Sequence, residues 1–253
     1  MNEHNQITYE NRLVAFIDIL GFSKLIDRSV AEPGIVPWMV NVLDAIKSNE
    51  GLKEKFGKKL DVRIEFTAFS DCFVLSTRIP EDPVNTALYQ VALICSLMLR
   101  AGVFVRGAIV EGMLFHRDNI VFGPGLLDAY NKEQKECVFP RIILSNDLVQ
   151  RYEQEIQVPE LGQYTKRWSP FLIRKDKDFF WYLDTIFTVP FSLENADEAE
   201  HLKLVKIEIE KKINLHEHDP KIFKKYVWVK DYFNSLVEEH PEYDIKRIGD
   251  IYR

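Results

Sequence analysis

The chain has 253 residues, 46% of them hydrophobic, which is enough to bury a sizeable core. Lysine and arginine total 33 against 39 aspartate and glutamate, so the mildly acidic balance gives no reason to expect binding to nucleic acid or to an anionic membrane. The N-terminus is polar, and no apolar run approaches the roughly 20 residues that cross a bilayer, so we expect a cytoplasmic protein.

Short runs of β-branched and aromatic residues alternate with helical patterns along most of the chain. In chain order, the pattern predicts a strand, a helix, two strands, a helix and a strand, at 12–20, 36–48, 61–70, 71–79, 85–102 and 103–114. Further strands are predicted at 141–145 and 179–185. The order of the first six elements is that of a ferredoxin-like βαββαβ unit, so we expect an α+β fold.

The character of the sequence changes from about Glu194 onward, where charged helical patterns cover 194–213 and 219–240. The second helix is expected to begin with Asp219 as its N-cap, followed by Pro220. We therefore expect one domain at 12–190 and a C-terminal helical appendage at 191–253 that packs on it.

The three cysteines agree with an intracellular protein. Cys72, Cys95 and Cys137 lie in apolar or mixed contexts and lack the spacing of metal ligands. Such a pattern favours reduced thiols over a disulfide framework or a zinc site.

Two aspartates lie where predicted strands end. Asp18 precedes a Gly-Phe-Ser turn in the apolar run VAFIDILGFSKLI, and Asp71 lies between two strand-like runs, as at the tip of a hairpin. If the strands are neighbours, the carboxylates converge, and divalent cations between them would remove their repulsion. With a phosphate-binding turn at a helix N-terminus, such a pair would suit two-metal phosphoryl or nucleotidyl transfer. The same pattern also fits a helix-capping Asp18 and a turn residue Asp71.

Longer segments carry a family resemblance. The runs FIDILGFS, FSDCFVLS, VRGAIVEGMLFHRDNIVFGPGLLDAYNKEQ and FPRIILS resemble, in this order, the catalytic segments of class III nucleotidyl cyclases. Over most of 14–184 the chain looks most like the bacterial pyrimidine cyclases of the Pycsar antiphage system. The resemblance implies a central, mainly antiparallel sheet with flanking helices, and it favours the metal site over the cap and the turn.

The resemblance also implies roles for individual residues. Asp18 and Asp71 would be metal ligands, joined by the backbone carbonyl of Ile19, and each site would hold two Mg²⁺ or Mn²⁺ ions. Three residues of the following turn would hold the triphosphate: Gly21, Phe22 and Ser23.

The positions that read the base differ from those of purine cyclases. Thr67 replaces a lysine or glutamate, and Ile120 replaces an aspartate or cysteine. Phe69 and Phe122 are large enough to fill the space that a second ring would need. A pyrimidine is therefore expected in this pocket, with UTP favoured and CTP as the alternative.

Purine cyclases carry an asparagine and an arginine on the helix after the glycine that corresponds to Gly123, where this chain has Leu127 and Asn131. Asn131 would still line the ribose pocket, but it has no positive charge with which to stabilise the phosphate. The remaining cation candidates are Arg106, Lys132, Arg141 and the cluster Arg174, Lys175 and Lys177. Arg106, which interrupts an apolar strand, is the favoured catalytic cation, although an arginine in such a place commonly pairs with a buried carboxylate.

The resemblance further implies a head-to-tail homodimer with composite active sites. In such a dimer, the partner chain could supply the missing cation, from Arg106 or from the cluster at Arg174 to Lys177.

The sequence as a whole predicts a uridylate cyclase that converts UTP to 3′,5′-cyclic UMP and pyrophosphate, as the signal producer of Pycsar antiphage defence. Three alternatives stay open. They are a cytidylate cyclase that makes cyclic CMP, a nucleotide-binding regulator with weak or no turnover, and a polymerase-like enzyme that joins nucleotides between molecules.

Overall fold

The computed structural model describes residues 7–48, 64–79, 83–153, 172–187 and 198–249. The strands in these ranges are β1 (Glu10–Ile19), β2 (Glu65–Phe69), β3 (Cys72–Arg78), β4 (Val105–Arg117), β5 (Ile120–Phe122), β6 (Ile142–Leu144), β7 (Ile173–Lys175) and β8 (Trp181–Leu183). The α-helices are α1 (Phe22–Ala31), α2 (Ile35–Ser48), α3 (Val84–Arg100), α4 (Pro124–Glu136), α5 (Asn146–Arg151), α6 (Glu198–Leu215) and α7 (Pro220–Glu239). None of these helices is long and apolar enough to span a bilayer.

The strands form one sheet in the order β2-β3-β1-β4-β6-β8-β7, and β5 pairs with β4 outside this path. Strand β1 lies between β3 and β4 and runs antiparallel to both, whereas β4 and β6 are parallel. Helices α1 and α2 connect β1 to β2, and α3 connects β3 to β4, so each helical connection skips one strand. The α+β class and the βαββαβ order predicted from the sequence are confirmed.

Strand β1 is apolar on both faces because both faces are covered. Leu13, Ala15 and Ile17 join the larger hydrophobic core together with α3. Val14 and Phe16 point to the opposite face, where they pack with residues of β4 and α4. A strand that is buried on both faces has a nearly continuous apolar sequence. The charged residue Asp18 at the end of β1 departs from this pattern.

Helix α4 lies unusually close to the sheet. A Cβ atom added at Gly112 of β4 would lie 2.7 Å from the Cα of Gly125 in α4, which real contacts between such atoms do not reach. Glycine at both positions permits this approach. This contact fixes the distance between α4 and the sheet, and therefore also the position of the α4 side chains that face the sheet.

The C-terminal helices pack against the other end of the sheet. Val205 of α6 and Phe233 of α7 are fully buried in one cluster with Phe104 and Ile143. Asp219 caps α7 as predicted, since its Oδ1 accepts a hydrogen bond of 3.2 Å from the backbone N–H of Ile222. The proposed domain boundary between 190 and 191 lies outside the described residues, so the division into two domains stays a prediction.

The predicted strands and helices agree with the structure apart from their ends. Residues 61–63 of the third predicted element lie outside the described ranges, and β4 extends to Arg117, beyond the predicted end at 114. The sequence analysis missed β5 and β7, which have three residues each, whereas the equally short β6 and β8 lie within the longer predicted runs 141–145 and 179–185. The cysteines are all unpaired.

A buried polar cluster connects four strands on the α4 face of the sheet. The ring of His116 is hydrogen-bonded through Nε2 to Thr67 Oγ1 at 2.9 Å and through Nδ1 to Ser76 Oγ at 2.8 Å. Arg12 donates to the same serine oxygen at 3.0 Å. Burial first, and the charge of Arg12 second, lower the pKa of His116 to about 4. The native protein therefore keeps this imidazole neutral under mildly acidic conditions.

This burial predicts a loss of stability in mild acid. Between pH 6.5 and pH 4, His116 is protonated in the unfolded chain but stays neutral in the native protein, because its pKa is lowered from 6.5 to about 4 on folding. The free energy of unfolding should then fall by about 1.4 kcal/mol per pH unit for this residue as pH decreases through that window. Denaturant titrations at pH 7 and pH 5 measure the difference.

The test variant is His116→Gln. Its matched control is His218→Gln, because the His218 side chain is almost fully exposed. We expect His116→Gln to reduce the stability difference between the two pH values by about 2 kcal/mol and His218→Gln to leave it unchanged. Equal pH dependence in the two variants would show that His116 titrates normally in the native state.

Candidate active site

The two aspartates predicted as metal ligands lie at the same corner of the sheet. Asp18 is opposite Cys72, the first residue of β3, and the backbone N–H of Ile19 donates to the carbonyl of Asp71 at 2.7 Å. The N–H and C=O groups of one residue in a strand point to the same side, so the carbonyl of Ile19 also faces Asp71. The backbone pairing therefore places Asp18, Ile19 and Asp71 at one corner of the sheet.

The local geometry of each aspartate follows from its place in the chain. Asp71 is exposed in the tight turn between β2 and β3, after Ser70 with a positive φ of 52°, as the hairpin prediction required. Asp18 does not cap α1, because the N-cap position is Gly21 and no side chain bonds there. Burial raises the pKa of the Cys72 thiol to about 11, and the charges of Asp71 and then Asp18 add to this shift. Both carboxylates thus act on the same thiol.

The turn after β1 has the geometry of a backbone anion site. Gly21 has φ 75° and ψ 19°, a left-handed conformation that favours glycine. The N–H of Leu20 donates to the carbonyl of Phe104 at 2.9 Å, which anchors the turn to the residue before β4. With no side-chain cap, the first N–H groups of α1 at Phe22 and Ser23 are left for water or a ligand.

Arg106 is bound to the aspartate of its own chain. Its Nε donates to Asp18 Oδ2 at 3.0 Å and lies 2.7 Å from Glu133 Oε1, and its Nη1 donates to the carbonyl of Cys137 at 3.3 Å. Burial would lower the pKa of Arg106, but the hydrogen bond to Asp18 and the charges of Glu133 and Asp18 raise it overall. The expectation that Arg106 reaches the Asp18 site of a partner chain is wrong, because Arg106 already occupies this position in cis.

The sequence analysis did not identify Glu133 as a residue of the candidate site. It is fully buried on α4, and burial raises the pKa of its carboxyl group, against the opposing effect of Arg106. The signal was present, since Glu133 follows Ala129 by four residues and therefore shares the buried face of α4. Glu133 and Asp18 together hold the guanidinium of Arg106 between two carboxylates.

The other cation candidates are engaged elsewhere in the fold. Arg141 is buried, ion-paired with Asp176 and Asp178, and surrounded by four aromatic rings, those of Phe139, Phe180, Tyr182 and Trp228. These contacts stabilise the packing of α7 on β8 and leave the guanidinium no access to a ligand.

Three of the remaining candidates, Arg174, Lys175 and Lys132, also have partners in the fold. Arg174 Nε donates to Asp184 Oδ2 at 3.0 Å, and its Nη1 donates to Glu239 on α7. Lys175 lies over the ring of Trp181. Lys132 Nζ is 2.5 Å from Glu136 Oε2, one turn further along α4. Arg174 is thus held between two carboxylates and is not a free cation for a partner site, while a contribution from Lys175 or Lys177 stays a prediction.

The residues predicted to line the base pocket are not gathered at the Asp18 corner. Thr67 is buried with its hydroxyl bonded to His116, so it cannot read a base in this conformation. Ile120 and Phe122 pair with Arg117 and Phe115 in the β4–β5 hairpin, at the opposite end of β4 from Arg106. Phe122 is 47% exposed and stacks on Phe115, with ring centroids 5.1 Å apart.

Phe69 and Asn131 lie in two further places. Phe69 is partly exposed at the end of β2, beside the turn that carries Asp71. Asn131 lines a polar cleft of ≈ 390 Å³ between α4 and α5, together with Glu111 and Asp147. The five predicted pocket residues therefore do not form a pocket within one chain.

The donor set fits a hard divalent cation. The described residues contain no cluster of three His, Cys, Asp or Glu side chains suited to hold a metal ion. The corner instead provides two carboxylates and one carbonyl, all of them oxygen ligands of the kind that Mg²⁺ and Mn²⁺ prefer. Mg²⁺ is usually held by one or two carboxylates and completed by phosphate oxygens and water, so the residues present are compatible with it.

No family model matches this sequence, and no curated protein sequence is significantly similar to it. Solved structures of nucleotide cyclases are similar to it at low identity. The guanylyl cyclase domain of the RhoGC fusion protein from the aquatic fungus Blastocladiella emersonii is 12% identical, with a TM-score of 0.39 over 69% of this chain and 95% of that chain. An adenylate/guanylate cyclase/hydrolase from Silicibacter pomeroyi is 16% identical, with a TM-score of 0.39 over 69% of this chain and 98% of that chain.

A bacterial light-regulated adenylyl cyclase is 11% identical to the chain, with a TM-score of 0.43 over 79% of this chain and 57% of that chain. At such identities and scores, no substrate and no residue role is transferred to this chain. Its function has to follow from its own residues.

Proposed function

We propose that this protein is a nucleotide cyclase that converts a pyrimidine nucleoside triphosphate to its 3′,5′-cyclic monophosphate and pyrophosphate. The observation that carries the proposal is the corner of the sheet where backbone pairing brings Asp18, Ile19 and Asp71 together beside the left-handed Gly21 turn. Oxygen ligands for a metal and backbone N–H groups for a phosphate are the two components that such a reaction requires.

The residues of this corner have distinct tasks in the reaction. Asp18, Asp71 and the Ile19 carbonyl would hold the Mg²⁺ or Mn²⁺ ions, which lower the pKa of the ribose 3′-hydroxyl and neutralise the leaving pyrophosphate. The first N–H groups of α1 bind triphosphate oxygens. Arg106 orients Asp18 through the 3.0 Å hydrogen bond and is in turn fixed by the buried Glu133. Arg106 is thus a positioning residue.

The reaction is an internal displacement. The 3′-oxygen forms a bond to the α-phosphorus, the bond from that phosphorus to the bridging oxygen of the β-phosphate breaks, and the hydroxyl proton is released to solvent. Because both reacting groups belong to one nucleotide, the protein has to fix the geometry of the substrate rather than bring two substrates together.

We assign UTP as the favoured substrate and CTP as the alternative. The aromatic residues Phe69 and Phe122 and the aliphatic Ile120 leave few polar groups for the second ring of a purine. Cyclic UMP would then be the signal that the protein contributes to Pycsar antiphage defence.

The location of the pocket residues supports a homodimer with composite sites. Ile120 and Phe122 lie in the β4–β5 hairpin, whereas Asp18 lies at the other end of β4. Partly exposed aromatic residues surround the hairpin, and Tyr9 contacts Phe122 with ring centroids 5.8 Å apart. A second, head-to-tail copy could bring its own hairpin to the Asp18 corner and so complete a base pocket that one chain leaves open.

Incubation with each nucleoside triphosphate and Mn²⁺, followed by mass spectrometry, tests the proposal. We expect cyclic UMP and pyrophosphate in equal amounts from UTP, and less or no cyclic product from ATP and GTP. Cyclic CMP as the main product would select the cytidylate alternative. Linear dinucleotides would indicate a polymerase-like enzyme, and nucleotide binding without any product would indicate a regulator. Either of the last two results would overturn the cyclase proposal.

A further inference from the structure

Arg106 is shared unequally between two carboxylates. Its Nε–H group donates a hydrogen bond of 3.0 Å to Asp18 Oδ2. The same nitrogen lies only 2.7 Å from Glu133 Oε1, yet this oxygen accepts no hydrogen bond from any described residue. A nitrogen with a single hydrogen can point that hydrogen at one acceptor at a time. One N–H group therefore has two acceptors within reach and uses only one of them.

The unused acceptor is more deeply buried than the used one. The side chain of Glu133 is fully buried, whereas 19% of the Asp18 side chain is exposed. The second oxygen of Glu133, Oε2, accepts a hydrogen bond of 2.6 Å from Gln134, so the deficit is confined to Oε1. A buried carboxylate oxygen without a donor raises the free energy of the native protein. The deficit indicates that Oε1 receives its donor in another state of the site.

The fold holds the three charged groups in place. Asp18 and Arg106 are directly opposite each other in the pairing of β1 with β4. Glu133 lies on α4, which packs close to the sheet, and Arg106 Nη1 donates to the carbonyl of Cys137 at the end of the same helix. Because Nε is already at hydrogen-bond distance from Glu133, a small rotation of the guanidinium is enough to redirect its N–H group.

A divalent cation at Asp18 gives a reason for this rotation. The cation and Arg106 would compete for the charge of one carboxylate, and they would repel each other at such a short distance. A turn of the N–H group to Glu133 would free the oxygen of Asp18 and keep the guanidinium paired. Without Glu133, a bound cation would leave a partly buried arginine without a counter-charge, which is strongly unfavourable.

We propose that Glu133 accepts the N–H group of Arg106 when a divalent cation binds at Asp18, and that Glu133 thereby sets the metal affinity of the candidate site. The inference rests on the proposed function and adds to it a positioning residue that acts through Arg106. Arg106 holds Asp18 in place before the cation binds, and Glu133 holds Arg106 afterwards. Only the direction of one hydrogen bond changes, and no covalent bond is formed or broken.

The test compares Glu133→Gln with Glu136→Gln, which removes a partly exposed carboxylate from the same helix. Electron paramagnetic resonance measures the binding of Mn²⁺ alone, without any turnover. We expect Glu133→Gln to weaken Mn²⁺ binding about 10-fold or more, because Arg106 then has to keep Asp18 as its counter-ion. Glu136→Gln should bind Mn²⁺ as the parent protein does. Equal affinity in Glu133→Gln and in the parent protein would overturn the inference.

The variant Arg106→Met shows whether Glu133 acts through Arg106. In this background there is no N–H group to redirect, so we expect the further change Glu133→Gln to alter Mn²⁺ affinity by less than about 2-fold. A loss of about 10-fold in both backgrounds would mean that Glu133 attracts the cation directly, and it would contradict the proposed coupling.

A crystal structure of the parent protein with Mn²⁺ tests the rearrangement without any variant. We expect Arg106 Nε to lie more than about 3.5 Å from both carboxylate oxygens of Asp18 and to donate to Glu133 Oε1. An arginine that keeps its hydrogen bond to Asp18 with Mn²⁺ in place would overturn the inference, even if the affinities of the variants differ.

These measurements separate a failure of the inference from a failure of the proposed function. Mn²⁺ binding that depends on Glu133, in a protein that forms no cyclic nucleotide, would refute the cyclase and leave the inference intact. Cyclic nucleotide formation together with unchanged Mn²⁺ affinity in Glu133→Gln would support the cyclase and refute the inference. A parent protein that binds no Mn²⁺, or whose Mn²⁺ binding is unchanged in Asp18→Asn, would refute both.

Discussion

Replacing Asp71 by asparagine is expected to lower nucleotide turnover at least about 100-fold while the fold stays intact. An amide oxygen is a weaker ligand for a hard cation than a carboxylate, and the substitution removes one of the two negative charges at the Asp18 corner. The side chain is exposed at the hairpin tip, so the free energy of unfolding should change by no more than about 0.5 kcal/mol. Steady-state rates with Mn²⁺ and UTP, together with denaturant titrations, measure both effects.

The control for Asp71→Asn is Asp244→Asn in the turn that follows α7. Asp244 is likewise an exposed aspartate in a turn, and its positive φ of 49° is tolerated by asparagine. We expect this variant to retain the parent rate. A fully active Asp71→Asn protein would contradict the metal assignment at this corner, and the roles of Asp18 and Ile19 would then fail with it.

The second large effect is expected for Gly21→Val. A Cβ atom at Gly21 would meet no atom within 4 Å, so the substitution causes no steric clash. It should reduce stability through the backbone instead, because a φ of 75° is strained for a β-branched residue. We expect a loss of about 1–3 kcal/mol in the free energy of unfolding if the turn keeps its shape. If the turn relaxes instead, the N–H groups of α1 leave the phosphate position, and nucleotide affinity should fall about 10-fold or more.

Gly34→Val is the matched control, because Gly34 also lies at a helix start with no atom within 4 Å of an added Cβ but lacks a positive φ. Calorimetry with tripolyphosphate and thermal unfolding would be run on both variants. Unchanged stability together with unchanged affinity in Gly21→Val would show that neither the left-handed turn nor its N–H groups matter for the ligand.

Much of the fold was predictable because it depends on local patterns. The continuous apolar run of β1 and the helical spacing of α3 are visible in the sequence. The end of α3 was also predictable, since Gly102 adopts the left-handed conformation, with φ 78°, that terminates helices. Strands β5 and β7 were not predicted, because each has only three residues and neither is part of a longer predicted run.

The candidate site was predictable only in part. The order of Asp18, the Gly21 turn and Asp71 along the chain indicated a metal and phosphate site, and strand pairing brings all three together. The sequence could not show which positive side chain accompanies them. Arg141 and Arg174 were reasonable candidates until the structure placed them in ion pairs within the fold.

Local sequence determined the strands and helices, the turn at Gly21 and the carboxylates at strand ends, since each depends on residues that are close together in the chain. Tertiary structure alone decided the partners of the charges. Arg106 meets Asp18 because β1 and β4 are antiparallel in one particular register, and it meets Glu133 because two glycines let α4 approach the sheet. Such long-range pairings depend on packing and register, and no spacing within the sequence encodes them.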